Sequence, residues 1–288
     1  MSSNSSGRIV VITGATSGFG RGLVREFLDN GDTVIATGRQ LTRRPEILQE
    51  ERAGFGERLI EMDLDVTLSL EREIFVQTCQ EKFGRVDVLV NNAGYGLFGA
   101  LEDTGEMQLR AQMEVNYFGL VLLTRDLLPL LRSSRGRIFN FSSVLGFMGF
   151  PLTALYCASK HAIEGFTESL SFELRSHGVQ VCLIEPGSYQ TGFGGSVMWA
   201  EKSADENSAF FRQSKNYKDF REVLSNGPTL NKVSDVPRGV VRLSRRSRLP
   251  LRARFGKDSQ ATYWLRRLLP ARLFLFMMTR FFATNINR

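Results

Sequence analysis

The chain has 288 residues, 42% hydrophobic and 23% charged, enough for one large α/β domain or two small ones, with a core that needs no disulfide or metal staple. Its formal net charge of +7 is uneven: the stretch from Val241 to Arg288 carries about +11 and the rest about −4. No recognition motif accompanies those arginines, so nucleic acid is not expected as a partner. The three cysteines, Cys79, Cys157 and Cys182, are odd in number and widely spaced without a CxxC pair. They argue against a disulfide framework or a metal site and for a reducing, cytoplasmic compartment.

Residues 1–7 are small and polar, read as disordered, and lack the basic-then-apolar order of a secretory signal. No apolar run is long enough for a confident transmembrane helix. Ile9-Val10-Val11-Ile12 is a short buried strand that leads through a glycine-rich turn into an amphipathic helix from Arg21 to Asn30, ended by Gly31. Strands follow at Thr33 to Thr37 and Arg58 to Met62, and then a helix from Ser69 to Phe83 stopped by Gly84. Val86 to Val90 is the fourth strand, Met107 to Arg132 a long helix with Pro129 near its end, and Arg137 to Phe141 the fifth strand. Tyr156 to His177 is a second long helix, stopped by Gly178, and Val179 to Ile184 the sixth strand. These strand runs are apolar throughout rather than alternating, as expected of parallel strands covered by helices on both faces. Residues 187–235 read as an excursion over a substrate site rather than a separate domain. Leu249 to Phe255 is a candidate edge strand, and Trp264 to Phe282 a helix within a basic, apolar tail, 260–288.

The first turn reads Thr13-Gly14-Ala15-Thr16-Ser17-Gly18-Phe19-Gly20. Between a strand and a helix, such glycines let the backbone approach a pyrophosphate, and the helix N-terminus offers unpaired N–H groups and a positive dipole end. The second strand ends in Gly38 and Arg39 instead of the Asp or Glu that would hold a ribose 2′-hydroxyl. A guanidinium there suits a 2′-phosphate, with Ser17 and Arg43 in reach, so NADP(H) is expected as cofactor in preference to NAD(H).

Further motifs follow in order: Asp65-Val66, Asn91-Asn92-Ala93-Gly94, Asn116, Ser143, Tyr156 with Lys160, and Pro186-Gly187 with Thr191. Together with the TGxxxGxG turn they resemble the short-chain dehydrogenase/reductase family from about Arg8 to Thr191. The segment from Tyr156 to Lys160 with Glu164-Gly165 is most similar to hydroxysteroid and retinol dehydrogenases. The resemblance implies a single Rossmann-type doubly wound parallel sheet with helices on both faces, completed here by the lid region and tail helix. It implies cofactor contacts from Gly14, Thr16, Ser17, Gly18, Phe19, Gly20, Arg39, Asp65, Val66, Asn92, Ala93, Gly94, Tyr156, Lys160, Pro186, Gly187 and Thr191. It also implies a catalytic set of Asn116, Ser143, Tyr156 and Lys160, with Asn116 holding a water that links Lys160 to solvent. Pairing of the helices from Met107 and Tyr156 implies a homodimer or homotetramer. Glu185 departs from the pattern, since many members have a small or polar residue before the proline, and it is expected to alter the substrate pocket.

The chemistry agrees with the spacing. Tyr156 and Lys160 lie one helical turn apart on one face. A free tyrosine titrates at about 10, and a neighbouring ammonium favours its phenolate. Tyr156 then gives a proton to a carbonyl oxygen or takes one from an alcohol, while Ser143 hydrogen-bonds the same oxygen. His161 and His177 receive no catalytic role, and Cys157 and Cys182 read as packing.

The substrate contacts expected are Ser143, Tyr156, Tyr189, Phe193 and Trp199. Their surroundings, Phe147, Met148, Phe150, Val197, Met198, Phe210 and Phe211, are apolar. They suit a steroid-, retinoid- or long-chain-like carbonyl or alcohol. The reading is thus an NADP(H)-dependent carbonyl reductase or alcohol dehydrogenase; a nucleotide-binding sensor or scaffold of the same fold is the alternative, disfavoured by the complete catalytic set. The tail is expected to pack on its own domain or a subunit partner, with peripheral membrane contact as the second option.

Overall fold

A computed structural model describes residues 7–190, 197–226 and 231–285. In chain order its elements are β1 (Ile9–Ile12), α1 (Gly18–Asp29), β2 (Thr33–Gly38), α2 (Gln49–Phe55), β3 (Leu59–Asp63), α3 (Ser69–Phe83), β4 (Val88–Asn91), β5 (Gly96–Phe98), α4 (Glu106–Met113), α5 (Leu120–Ser134), β6 (Arg137–Phe141), α6 (Ala154–Glu173), β7 (Gln180–Pro186), β8 (Val197–Trp199), α7 (Phe211–Asn226), α8 (Asp235–Ser244), β9 (Arg252–Phe255), α9 (Lys257–Leu268) and α10 (Ala271–Asn285). Seven strands form one parallel sheet in the order β3-β2-β1-β4-β6-β7-β9.

The direction of winding reverses between β1 and β4. There the loops at the carboxyl ends of the two strands turn opposite ways and leave a crevice. Successive side chains of β1 serve opposite faces. Val10 and Ile12 pack with Leu23, Phe27 and Leu28 of α1 and Val240 of α8. Ile9 and Val11 pack with Phe75 of α3, Leu123 and Leu127 of α5 and Leu170 of α6. Burial on both faces explains why the strand runs carry no polar alternation.

Four features depart from the local sequence patterns. The helix expected from Met107 to Arg132 is interrupted by a π-helical turn, Glu114–Gly119, which places Asn116 in the crevice. Gly119 is required there, because a Cβ would lie 2.5 Å from Val66 Cγ2. The region 187–235 contains regular structure: β8 pairs in parallel with β5, and α7 spans sixteen residues. Helix α8 was not evident, because Pro237 and Gly239 look like breakers. Pro237 falls in its first turn, where no N–H partner is lost, and Gly239 leaves room for the Phe255 ring. The single tail helix is corrected to two, broken at Leu269-Pro270, because proline holds the preceding residue extended; Leu269 has φ −85° and ψ 142°.

Part of the basic charge of the C-terminal region is paired with acids elsewhere in the fold, while Arg242, Arg246, Arg248, Arg266, Arg267, Arg272 and Arg280 stand exposed. Arg238 meets Glu26 at 3.0 Å, Arg245 meets Asp32 at 2.9 Å, and Arg252 meets Glu168 at 2.6 Å and Glu164 at 3.1 Å. Among the described residues, no helix is long and apolar enough to cross a membrane.

Candidate active site

The glycine turn after β1 is shaped by how closely it passes the loop after β4. Gly14 has φ +65°, and a Cβ on it would lie 2.9 Å from Ala93 Cα; at Gly20 one would collide with the Gly14 carbonyl and the Asn92 amide. Asn92 clamps the two loops, donating from Nδ2 to the carbonyls of Thr13 and Gly14, each at 3.0 Å. Thr13 Oγ1 accepts the N–H groups of Asn92 and Ala93, also at 3.0 Å. Ser17 sits exposed at the N-cap of α1 without a side-chain capping bond. This open, bare-backbone cradle at a helix N-terminus fits a dinucleotide pyrophosphate.

At the end of β2, a Cβ on Gly38 would lie 2.6 Å from Thr16 Cγ2, so only glycine lets β2 close on the turn. Arg39 is exposed beside it and makes no ion pair among the described residues. Thr42 engages Asp63 through its backbone N–H at 2.8 Å and its hydroxyl at 2.7 Å. Arg39 therefore keeps its donors free for a phosphate. Asp65 is spent on its own turn, accepting from Thr67 N and Oγ1. Val66 is buried against Gly119. Gly187 runs against Asp258. Thr191 and Phe193 lie outside the described residues.

Ser143, Tyr156 and Lys160 converge beyond the end of β6. Ser143 caps a single 3₁₀ turn, its Oγ accepting from Leu145 N at 3.2 Å, and it hydrogen-bonds the Tyr156 hydroxyl. Lys160 Nζ donates to the Phe141 carbonyl at 2.8 Å and lies 5.6 Å from the centre of the Tyr156 ring. Burial pushes Tyr156 up to about 12, against the opposing effects of the Ser143 bond and the Arg221 charge. Burial also draws Lys160 down to about 8, with the Glu164 carboxylate resisting. Asn116 does not touch this pair directly. Its Oδ1 accepts from Tyr95 N at 3.0 Å, and its Nδ2 donates to Tyr95 O at 2.9 Å and Ser159 Oγ at 3.1 Å. It ties the loop after β4 to α6. A buried chain that sequence reasoning missed runs behind it: Asn91 Nδ2 donates to Thr124 Oγ1 and Asn140 Oδ1, and Asn140 Nδ2 to Thr167 Oγ1.

Aromatic rings close over Tyr156, which is only 7% exposed. Phe98 of β5 meets it edge-on at 5.7 Å; Trp199 of β8 and Tyr217 of α7 each stand 6.1 Å from Phe98. Phe282 of α10 reaches Phe150 at 4.5 Å, so the tail packs on its own chain at the site. Of the apolar residues expected here, Val197, Phe150 and Trp199 join the cluster. Met198 is exposed, Phe147 packs on Tyr263, and Phe210 and Phe211 stand outside the cluster. Tyr189 instead lies against Phe19 of the glycine turn, 5.3 Å away. Phe98, Tyr217 and Phe282 were not foreseen, since no local pattern links the three segments. His161 bonds the Cys157 carbonyl of its own helix at 2.8 Å.

Behind Lys160 lies a buried charge network. Glu185, with 0% exposure, meets Arg254 at 2.9 Å and Arg252 at 3.4 Å, and Arg252 also meets Glu164. Glu185 is thus held in the sheet edge and not in the ring cluster, which corrects the expectation that it shapes the pocket. Burial and the nearby Glu164 carboxylate push Glu185 up to about 7 from 4.5. The folded chain then keeps a proton that the unfolded chain loses between those values, so stability falls as pH rises through that window. Thermal unfolding should show a melting temperature that drops several degrees from about pH 5 to 7.5, at about 2–4 °C per kcal/mol. Glu185→Gln should flatten that slope, and an unchanged slope would exclude Glu185 as its source.

A family model described as short chain dehydrogenase matches residues 8–202. A 3-ketodihydrosphingosine reductase of Bacteroides thetaiotaomicron is 40% identical over 187 residues, 65% of this chain and 65% of its own, so the chain spans slightly under two thirds of that relative. The uncharacterized oxidoreductase YusZ of Bacillus subtilis is 34% identical over 271 residues, 91% of this chain and 94% of its own. Among solved structures, a short-chain dehydrogenase from Streptomyces avermitilis superposes with a TM-score of 0.78 at 33% identity, covering 90% of this chain and 91% of that one. A serine dehydrogenase complexed with NADP+ gives 0.71 at 28% identity, covering 86% and 94%. A Burkholderia phymatum short-chain dehydrogenase/reductase in complex with NAD gives 0.77 at 25% identity, covering 91% and 94%.

Proposed function

The chain belongs to the short-chain dehydrogenase family, and from that premise we propose that it is an NADP(H)-dependent oxidoreductase interconverting a carbonyl and an alcohol on a hydrophobic substrate. The observation that carries the reading is the convergence of Ser143, Tyr156 and Lys160 under an aromatic cover. The nicotinamide supplies or accepts the hydride when bound. Tyr156, a neutral phenol at pH 7, gives its proton to the substrate oxygen on reduction and recovers it on oxidation. Ser143 donates a hydrogen bond to that oxygen. Lys160, anchored on the Phe141 carbonyl, stands 5.6 Å from the centre of the Tyr156 ring and would hold the ribose hydroxyls of a bound cofactor. Asn116 positions α6 against the cofactor loop. Solved neighbours carry either nicotinamide cofactor, so the preference for NADP(H) rests on Arg39 and Ser17.

The cage of Phe98, Phe150, Trp199 and Tyr217 favours a lipophilic substrate, and one relative is named a 3-ketodihydrosphingosine reductase. Substrate entry requires the rings of Trp199, Tyr217 and Phe282 to part from Tyr156, which gives β8, α7 and α10 the role of a cover. The test is NADPH oxidation by the purified protein against ketones and aldehydes from small and polar to steroid- and retinal-sized. Turnover should rise with lipophilicity; preference for small polar sugars would overturn the substrate class. Absence of all turnover with NADPH tightly bound would favour the sensor reading, against which the named reductase relative weighs.

A second reading concerns the tail. Trp264, Leu268, Phe276 and Phe281 are exposed on α9 and α10 among Arg266, Arg267, Arg272 and Arg280, a composition that suits an anionic membrane surface. The protein should float with anionic vesicles, and flotation unchanged by deleting 271–288 would remove the idea.

A further inference from the structure

Helix α7 brings a cation into the apolar cover over Tyr156. The guanidinium of Arg221 lies 4.5 Å over the Phe98 ring, the ring that also meets Tyr156 edge-on. Its charge acts on the hydroxyls of both Tyr156 and Tyr217. Arg221 is partly buried and makes no hydrogen bond or ion pair among the described residues. One turn away, Lys218 lies 4.9 Å over the Trp199 ring, its Nζ 3.3 Å from Ser203 Oγ. The acids of this helix, Asp219 and Glu222, are exposed. The roof of the site therefore carries positive charge, and no carboxylate of the described residues answers it.

A guanidinium offers five N–H donors in a planar fork that matches a carboxylate or phosphate. Withdrawing it from water without such a partner is unfavourable, and the face of one phenylalanine offsets only part of that. An arginine serving merely to fill space over aromatic rings gains only that partial offset from its charge, and a methionine or leucine would fill the same space without the penalty.

We infer that Arg221 is a specificity-determining residue that receives an anionic group of the substrate, so that the site takes acidic amphiphiles: an apolar chain bearing a carboxylate or phosphate close to the reacting carbonyl. The inference deepens the oxidoreductase reading and rests on it. Lys218 adds charge at the rim, and Phe98, Trp199 and Tyr217 hold the chain. A neutral head group leaves the guanidinium unpaired, and an ammonium group is repelled.

The experiment is calorimetric titration of the NADP+-loaded protein with three probes of equal chain length: decanoate, decan-1-ol and decylammonium. Decanoate is expected to bind at least about tenfold more tightly than decan-1-ol, with decylammonium weakest. Arg221→Gln should weaken decanoate about 10- to 100-fold, the range for a charge-assisted hydrogen bond, and leave decan-1-ol within about twofold. Arg221→Lys, which keeps the charge but not the fork, should fall between, and retained NADP+ affinity shows that each variant is folded. Equal binding of decanoate and decan-1-ol by the parent protein, absence of binding by all three, or a decanoate preference that survives Arg221→Gln overturns the inference. Because the readout needs no turnover, the two readings separate. Ketone reduction without a charge preference sinks only this one, and a charge preference without ketone reduction supports the anion site while sinking the reaction.

Discussion

Tyr156→Phe is expected to lower kcat for ketone reduction by about 10²- to 10⁴-fold, the range for loss of a positioned proton donor, while leaving NADPH affinity within about twofold. The substitution removes one oxygen atom. It leaves the ring edge-on to Phe98 at 5.7 Å and Lys160 on the Phe141 carbonyl, so the cover and the lysine anchor persist. What disappears is the hydroxyl that Ser143 holds. Steady-state kinetics with a lipophilic ketone and fluorescence titration with NADPH separate the two effects. Activity within about tenfold of the parent would exclude Tyr156 as the proton donor. Because burial pushes the phenol up to about 12, the donor form is the resting form at neutral pH. The same burial makes the reverse reaction depend on the Ser143 hydrogen bond and the Arg221 charge for any phenolate to form.

Arg39→Asp is expected to invert cofactor choice. The parent protein should favour NADPH over NADH in kcat/KM by at least about tenfold, and the variant should favour NADH. A charge-assisted hydrogen bond contributes about 1.5–3 kcal/mol, so loss of the guanidinium alone lowers NADPH efficiency about 10- to 100-fold. The introduced carboxylate then repels the 2′-phosphate and can accept a bond from a 2′-hydroxyl. The exposure of Arg39, with Asp63 engaged by Thr42, makes the folded scaffold indifferent to the change. Melting temperature should therefore stay within a few degrees. Equal use of NADH and NADPH by the parent protein would sink the assignment.

The sequence by itself determined the parallel sheet, its helical cover and the crevice. Continuous apolar runs such as Ile9–Ile12 and residues 181–184 of β7 report strands buried on both faces. Glycine spacing after β1 and the four-residue step from Tyr156 to Lys160 are local facts, fixed by covalent geometry and helical repeat. For the same reason Gly84 and Gly178, with φ of +64° and +72°, were legible as helix ends.

Only the tertiary structure decided what lies over that crevice. Phe282 meets Phe150, Trp199 meets Phe98, and Arg221 reaches the ring that touches Tyr156, yet each pair joins segments far apart in the chain. No periodicity records such contacts, because they depend on how the pieces close on one another. Helix α8 shows the same limit: Pro237 and Gly239 weaken its local signal, and its place on α1 comes from burying Val236, Val240 and Val241. Glu185 reads in sequence as an oddity beside Pro186. Its environment exists only once β9 has set Arg252 and Arg254 beside β7, because a buried carboxylate is defined by the charges that folding brings to it.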